Sequence, residues 1–303
     1  MEYSDMTAKI GGGKGFIAAL DQSGGSTPKA LAGYGIEEGA WSNEEEMFGL
    51  IHQMRARIIS SPAFTGEKVI GAILFERTMD GQVDGVPTPQ ALIAKGVVPF
   101  IKIDKGLEDE VNGVQLMKPN PTLDGLLARS KALGVFGTKE RSVINSANAE
   151  GIAAVVKQQF EIGAQVLSHG MMPIIEPEVN IKSATRAECD TLLLASILEN
   201  LEALPEGQTV MLKLSLPVVP GTFDPLVEHP KVLRVVALSG GYARPEACVE
   251  LAKNKGIIAS FSRALLSDLR VQMTDAEFDA ALGEAIDAIY EGSTHKTEAA
   301  AAA

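Results

Sequence analysis

The sequence predicts an α/β chain folded as a single-domain (β/α)8 TIM barrel, and three observations carry that prediction. Eight short apolar runs rich in β-branched residues recur along the 303 residues, each parted from the next by a longer stretch. Runs such as Val69-Ile-Gly-Ala-Ile-Leu-Phe75 and Val232-Leu-Arg-Val-Val-Ala-Leu238 are nearly continuous in apolar residues, as strands covered on both faces of a parallel sheet are. The longer stretches place apolar residues at three- and four-residue steps, the spacing of helices. Eight strands alternating with helices favour closure, because every strand then gains two parallel neighbours. An open, doubly wound sheet of eight strands is the alternative.

The strands are expected over residues 15–21, 69–75, 98–104, 136–144, 171–178, 209–216, 232–239 and 257–263. The first helix expected, 43–60, opens on the capping residue Asn43 followed by three glutamates, which suit the positive end of a helix dipole. Helices follow over 122–133, 147–164, 185–204, 244–255 and 274–290; the one at 88–95 is short and the one at 224–229 poorly formed. The glycine run 11–15, with Lys14 inside it, lacks the spacing of a phosphate-binding P-loop and precedes a strand, so it reads as a turn. Residues 1–292 are expected to form the barrel domain and 293–303 a disordered tail with little to bury.

The net charge of −12 argues against nucleic acid as a partner, although a few cations gathered in one cleft can still hold an anionic ligand. Cys189 and Cys248 cannot make a disulfide framework and read as buried thiols of a reducing compartment. The first ten residues contain acids and no apolar run, unlike a secretory signal, and no segment approaches the ~20 apolar residues that span a bilayer. A cytoplasmic protein with no membrane partner is expected; homo-oligomerisation is left open. His52, His169, His229 and His295 have no paired ligand spacing, and no Gly-x-Gly-x-x-Gly follows a strand, so neither metal nor cofactor is expected.

What interrupts the strands is more informative. Seven of them carry a polar residue near the C-terminal end: Asp21, Lys102, Lys139, Glu176, Lys213, Ser239 and Arg263. Barrel enzymes place their catalytic groups at those ends. Strand alternation puts Lys102 with Asp104, Lys139 with Arg141, and Glu176 with Glu178 on shared faces. A lone charge among Ile, Val and Leu is ordinarily an ion-paired structural residue, since burying it unpaired is costly. Five cations and several acids converging on one mouth point instead to a site.

Lys213 lies in Val210-Met-Leu-Lys-Leu-Ser-Leu216. Burial and the nearby Lys139 both disfavour its ammonium form, and a neutral amine can attack a carbonyl to give a carbinolamine and then an iminium. Glu176 and Glu178 are candidates for the proton shuttle, because a carboxyl whose proton affinity burial has raised both gives and takes protons. The competing view of Glu-Pro-Glu is a loop start with solvated acids. Asp21 is placed to take a hydroxyl proton as a carbon–carbon bond breaks. After strand seven, Ser239-Gly240-Gly241 lets backbone amides approach an anion, and Ser262-Arg263 closes strand eight. Asp21-Gln-Ser-Gly-Gly-Ser26, with Lys29 beyond, follows strand one. Two anion loops on opposite sides of a mouth suggest a substrate phosphorylated at both ends.

Taken in order, these segments resemble class I fructose-1,6-bisphosphate aldolase, the short bacterial form in particular. The matching stretches are Gly15-Phe-Ile-Ala-Ala-Leu-Asp-Gln-Ser-Gly-Gly-Ser26, Ala72-Ile-Leu-Phe-Glu76, Gly96-Val-Val-Pro-Phe-Ile-Lys-Ile-Asp-Lys-Gly106, Pro173-Ile-Ile-Glu-Pro-Glu178, Met211-Leu-Lys-Leu214, Leu238-Ser-Gly-Gly241 and Ser260-Phe-Ser-Arg-Ala264. The resemblance implies Lys213 as the Schiff-base lysine, Glu176 as acid/base for carbinolamine dehydration with Glu178 beside it, Asp21 in carbon–carbon cleavage, and Lys139 beside the reacting carbons. It further implies Ser239, Gly240 and Arg263 at the ketose-end phosphate, Ser23, Ser26 and Lys102 near the other, and Arg141 as a nearby cation. Gln22 stands where the animal enzymes carry glutamate, and Glu140 where they carry tryptophan. Their C-terminal tyrosine has no counterpart here, which leaves Glu176 to return the last proton, with Tyr290 a weaker candidate.

A glycolytic lyase acting on fructose 1,6-bisphosphate is therefore the leading expectation. Other Schiff-base barrels (transaldolase, sedoheptulose-bisphosphate aldolase), a barrel isomerase with Lys213 as an electrostatic residue, and a non-catalytic scaffold are the alternatives.

Overall fold

Each of the eight apolar runs forms a strand in the computed structural model, which describes residues 1–297. The strands β1 (Phe16–Leu20), β2 (Val69–Leu74), β3 (Val98–Lys102), β4 (Gly137–Ile144), β5 (Met172–Val179), β6 (Val210–Ser215), β7 (Val232–Leu238) and β8 (Ile258–Ala259) stand side by side in chain order, each parallel to the next. The ring closes where the Ala19 amide of β1 donates to the Phe261 carbonyl just past β8, 3.1 Å away. The fold is the (β/α)8 barrel the alternation predicts.

The continuous apolar runs follow from burial on both faces. Outward residues such as Ala18, Leu20, Leu212 and Leu214 pack beneath the helices, while inward residues such as Ile17, Phe100, Ile174, Met211 and Val236 fill the barrel. Helix α3 (Glu44–Ser60), after α1 (Tyr3–Gly12) and α2 (Ser26–Tyr34), begins as its cap predicts: Asn43 Oδ1 accepts the Glu46 amide at 2.9 Å.

Helix α1 was not expected. Its ten residues would be marginal alone. They are held because Met6 and Ile10, one turn apart, enter the inner core beside Ile17 and Ile70 and close the N-terminal end of the barrel. Each such buried side chain adds roughly 1.5–3 kcal/mol over an exposed one.

Several boundaries differ from expectation. Gly11 and Gly12 belong to α1, so only residues 13–15 turn; Gly15 has φ +147°, and a Cβ there would lie 2.4 Å from the Lys68 carbonyl oxygen. Residues 224–229 keep a single turn, Asp224–Val227. β8 stops at Ala259, so Arg263 opens the one-turn helix Arg263–Leu266 instead of ending a strand. The last helix, Asp275–Thr294, runs past the expected domain boundary. Ser293 is buried and accepts the Ala259 amide at 3.0 Å, so residues 293–297 are docked, contrary to the disordered tail expected; 298–303 lie outside the described residues. Cys189 is buried and Cys248 half-buried, both as free thiols. No described helix is long and apolar enough to cross a membrane.

Candidate active site

Each inward-facing column of side chains changes character along its strand. Phe100 is followed by Lys102, Ile174 by Glu176 and Glu178, Met211 by Lys213, and Ile258 by Ser260, every second residue, as the strand period requires. The lower steps fill the core and the upper ones ring a cavity of about 990 Å³ at the C-terminal end of the barrel. All seven polar strand-end residues border it, with Arg141, Glu178, Ser23, Ser26, Gly240 and Ser262. Gly241 does not; it lies against Arg263, whose Nη2 would be 3.2 Å from a Cβ placed there.

Four nearly sealed side chains form a line of alternating charge at the centre. Lys213 Nζ is 3.0 Å from Glu176 Oε1, Glu176 Oε2 is 2.8 Å from Lys139 Nζ, and Lys139 Nζ is 2.7 Å from Asp21 Oδ2. Two cations and two anions compensate one another where a single charge would be costly. Burial alone would raise both carboxyls, but Lys139 and Lys213 more than offset it and hold Asp21 and Glu176 below the usual carboxylate range. This corrects the expectation that burial raises Glu176. Burial would likewise lower the Lys139 ammonium, yet Asp21 and Glu176 hold it above its ordinary value. The expected neighbour of Lys213 was Lys139; a carboxylate stands between them.

Two further pairs complete the ring. Lys102 Nζ meets Asp104 Oδ1 at 2.5 Å, though burial still pushes the ammonium down. Arg141 Nε meets Glu178 Oε2 at 2.5 Å, and Glu178 holds the guanidinium up against its burial. Glu178 thus shares a face with Glu176 but is engaged by Arg141. Strand β5 continues through Pro177 and Glu178, so Glu-Pro-Glu is not a solvated loop start.

The two anion loops flank this ring. Ser23 donates its amide to Ser26 Oγ at 2.9 Å, and the Ser26 hydroxyl returns a bond to the Ser23 carbonyl at 2.8 Å, shaping the turn ahead of α2. Gly240 has φ +61°, and a Cβ there would stand 2.4 Å from Ile181 Cγ2, so this turn needs glycine. Arg263 and Lys29 border the cavity and make no ion pair among the described residues.

Sequence reasoning missed the support behind one wall of the site. Arg55 of α3 is fully buried and donates to Thr78 Oγ1 at 2.8 Å, the Gln22 carbonyl at 2.5 Å and Gln22 Oε1 at 3.1 Å. Gln22 Nε2 in turn donates to Ser262 Oγ at 2.6 Å, tying the β1 loop to the β8 loop. The signal was a charge on the apolar face of α3, four residues after Ile51 and three before Ile58. Glu76 and Lys105 also border the cavity and pair at 2.9 Å. Tyr290 does not border it; its ring lies 5.9 Å from Lys68 Nζ. No three His, Cys, Asp or Glu side chains among the described residues are grouped to hold a metal ion.

Residues 3–213 match the family model described as fructose-bisphosphate aldolase class-I. The fold is similar to a fructose-bisphosphate aldolase from Plasmodium falciparum, solved in complex with TRAP and a small-molecule inhibitor, with a TM-score of 0.76, 19% identity, and coverage of 97% of this chain and 95% of that one. At that identity the likeness establishes the barrel alone. A putative orotidine-monophosphate decarboxylase from Toxoplasma gondii overlaps 96% of this chain and 95% of its own, at 12% identity and a TM-score of 0.41, too low to bear on the fold.

Proposed function

Because this chain belongs to the class-I fructose-bisphosphate aldolase family, we propose that it cleaves fructose 1,6-bisphosphate reversibly to dihydroxyacetone phosphate and glyceraldehyde 3-phosphate. In this reading it is a metal-independent, cytoplasmic aldehyde-lyase of glycolysis and gluconeogenesis that uses no cofactor. The observation that carries the proposal is the contact between Lys213 Nζ and Glu176 Oε1, continued through Lys139 to Asp21.

Glu176 accepts a proton from the Lys213 ammonium, and the freed amine attacks C2 of the ketose. The same carboxyl returns the proton to the C2 hydroxyl, which leaves as water to give the iminium. Asp21 then takes the C4 hydroxyl proton while the C3–C4 electron pair moves toward the iminium nitrogen. The aldehyde product departs and an enamine remains. The proton on Asp21 passes by way of Lys139, which touches both carboxylates, to Glu176, which delivers it to C3. Water then adds to the regenerated iminium, releasing the second product and restoring the Lys213 ammonium and both carboxylates. Lys139 balances charge between the two carboxylates throughout. Ser239, Gly240, Ser262 and Arg263 are assigned to the ketose-end phosphate, with Gly241 behind Arg263, and Ser23, Ser26, Lys102 and Arg141 to the other, Arg141 with Glu178 behind it.

The test is borohydride reduction in the presence of dihydroxyacetone phosphate, followed by peptide mass spectrometry. A covalent adduct on Lys213 is expected. Full cleavage activity with no adduct anywhere would sink the Schiff-base route. A substrate panel adds the second check, since monophosphate sugars should bind more weakly than the bisphosphate if both loops are used.

A further inference from the structure

The end of the barrel away from the mouth carries a second concentration of positive charge. A cavity of about 210 Å³ lies there between the turn after α1, the start of β7 and the end of the last helix. Lys14, Arg234 and Lys296 border it, and no acid among the described residues does, in a chain of net charge −12. Among the described residues the two inner cations have only carbonyl partners. Arg234 donates to Gly11 O at 2.7 Å and Gly13 O at 3.5 Å, and its buried Nε has no partner among the described residues. Lys296 Nζ donates to the carbonyls of Leu251, Ile257 and Gly292 at 3.1, 2.6 and 3.1 Å. Lys102, Lys139 and Arg186, by contrast, each touch an aspartate or glutamate.

Charge gathered with no counter-ion among the described residues is costly, and the cost is visible. Burial, then Arg234, bring Lys296 down to about 8, and burial lowers Arg234. The glycine run that the mouth did not use supplies the third wall, and Gly12 has open space where a side chain would stand. We propose that this cavity binds a small dianion of the phosphate class, either free phosphate or the phosphate group of a small metabolite. Its volume is below the ~300–1,000 Å³ of sites for drug-sized ligands, which suits a phosphate with a short stem. The ligand bridges α1, β7 and the last helix, none of them at the mouth, so it acts on the stability of the lower barrel.

The experiment is a tungstate soak of wild-type crystals, with phosphate-dependent melting of wild type, Lys14→Ala and Lys296→Met at fixed ionic strength. Tungstate is expected between Lys14, Arg234 and Lys296, besides any at the mouth. Each lysine substitution should weaken the lower site about tenfold, the loss of one charge-assisted contact, with unchanged cleavage activity. Lys14 is exposed, so Lys14→Ala tests the site even if Lys296→Met folds poorly. Glycerol 3-phosphate separates the two sources: tighter binding than phosphate marks a metabolite, equal binding the free ion. Tungstate at the mouth alone, or identical phosphate stabilisation in all three proteins, overturns the proposal.

Discussion

Glu176 and Lys213 meet inside the barrel with a carboxylate oxygen 3.0 Å from the ammonium nitrogen, and Lys139 takes the other oxygen at 2.8 Å. One carboxylate is thereby shared by two cations, and both hold it ionised against its burial. Glu176→Gln keeps the shape and removes the proton acceptor. The cleavage kcat is expected to fall about 10²–10⁴-fold, the usual contribution of one acid/base group. Borohydride trapping on Lys213 should persist but form more slowly. A kcat close to wild type would remove Glu176 from proton transfer.

The Asp21–Lys139 contact sets a pH window for stability. Asp21 and Glu176 are depressed in the folded chain, so their contribution is complete above the unfolded carboxylate values of about 4 and is lost as pH falls below them. Lys139 is raised, so its contribution is complete below about 10.4 and is lost only as pH climbs through its higher folded value. Urea unfolding should therefore give a midpoint little changed by this cluster between about pH 5 and pH 9 and falling below about pH 4. Asp21→Asn should lower the plateau and flatten the acid fall. An acid fall as steep as that of wild type would show that Asp21 is not the titrating partner.

The barrel and most of the mouth were legible because one period governs both. Alternation along a strand that buries both faces fixes which residues look inward, so Lys102, Lys139, Glu176 and Lys213 could be placed from spacing alone. Ion pairing could not. Glu176 stands between Lys139 and Lys213 because β4, β5 and β6 are staggered, and stagger is a property of the closed sheet. Helix α1 was missed since its two anchors, Met6 and Ile10, show no pattern until the barrel offers them an open end. Arg263 was put on a strand because Ile-Ile-Ala-Ser-Phe continues the apolar run, whereas pairing with β7 ends at Ala259.

Arg55 acts at a distance from the reacting atoms by fixing the loop that carries Asp21. Its burial lowers the guanidinium to about 10, still charged at neutral pH, with Asp21 as the acid that favours it. Arg55→Met leaves the Gln22 carbonyl and Thr78 hydroxyl without this donor, at a cost of about 1–3 kcal/mol for a buried unsatisfied group. Cleavage should weaken more than urea unfolding alone predicts, because Gln22 loses its hold on the β8 loop through Ser262. Arg55→Lys restores charge without the fork and should recover stability better than activity. Equal recovery of both would make Arg55 a purely structural residue.

Glu140 points the other way from Lys139 and Arg141, into the layer between β4 and the helices. It is fully buried, and neither carboxyl oxygen has a partner among the described residues. Burial first, and Asp104 next, raise its carboxyl well above the ordinary range against the pull of Lys139. A raised acid contributes with the opposite sign to Asp21: the folded form holds a proton the unfolded chain has given up, so stability is lost as pH rises above about 4.3. Glu140→Met should therefore stabilise the protein near neutral pH by about 1–3 kcal/mol, the cost of an unsatisfied buried polar group. The gain should grow from pH 4 to pH 8 in urea unfolding, and kcat should stay unchanged because the side chain does not border the mouth. A gain independent of pH would mean that the folded protein keeps this carboxylate ionised.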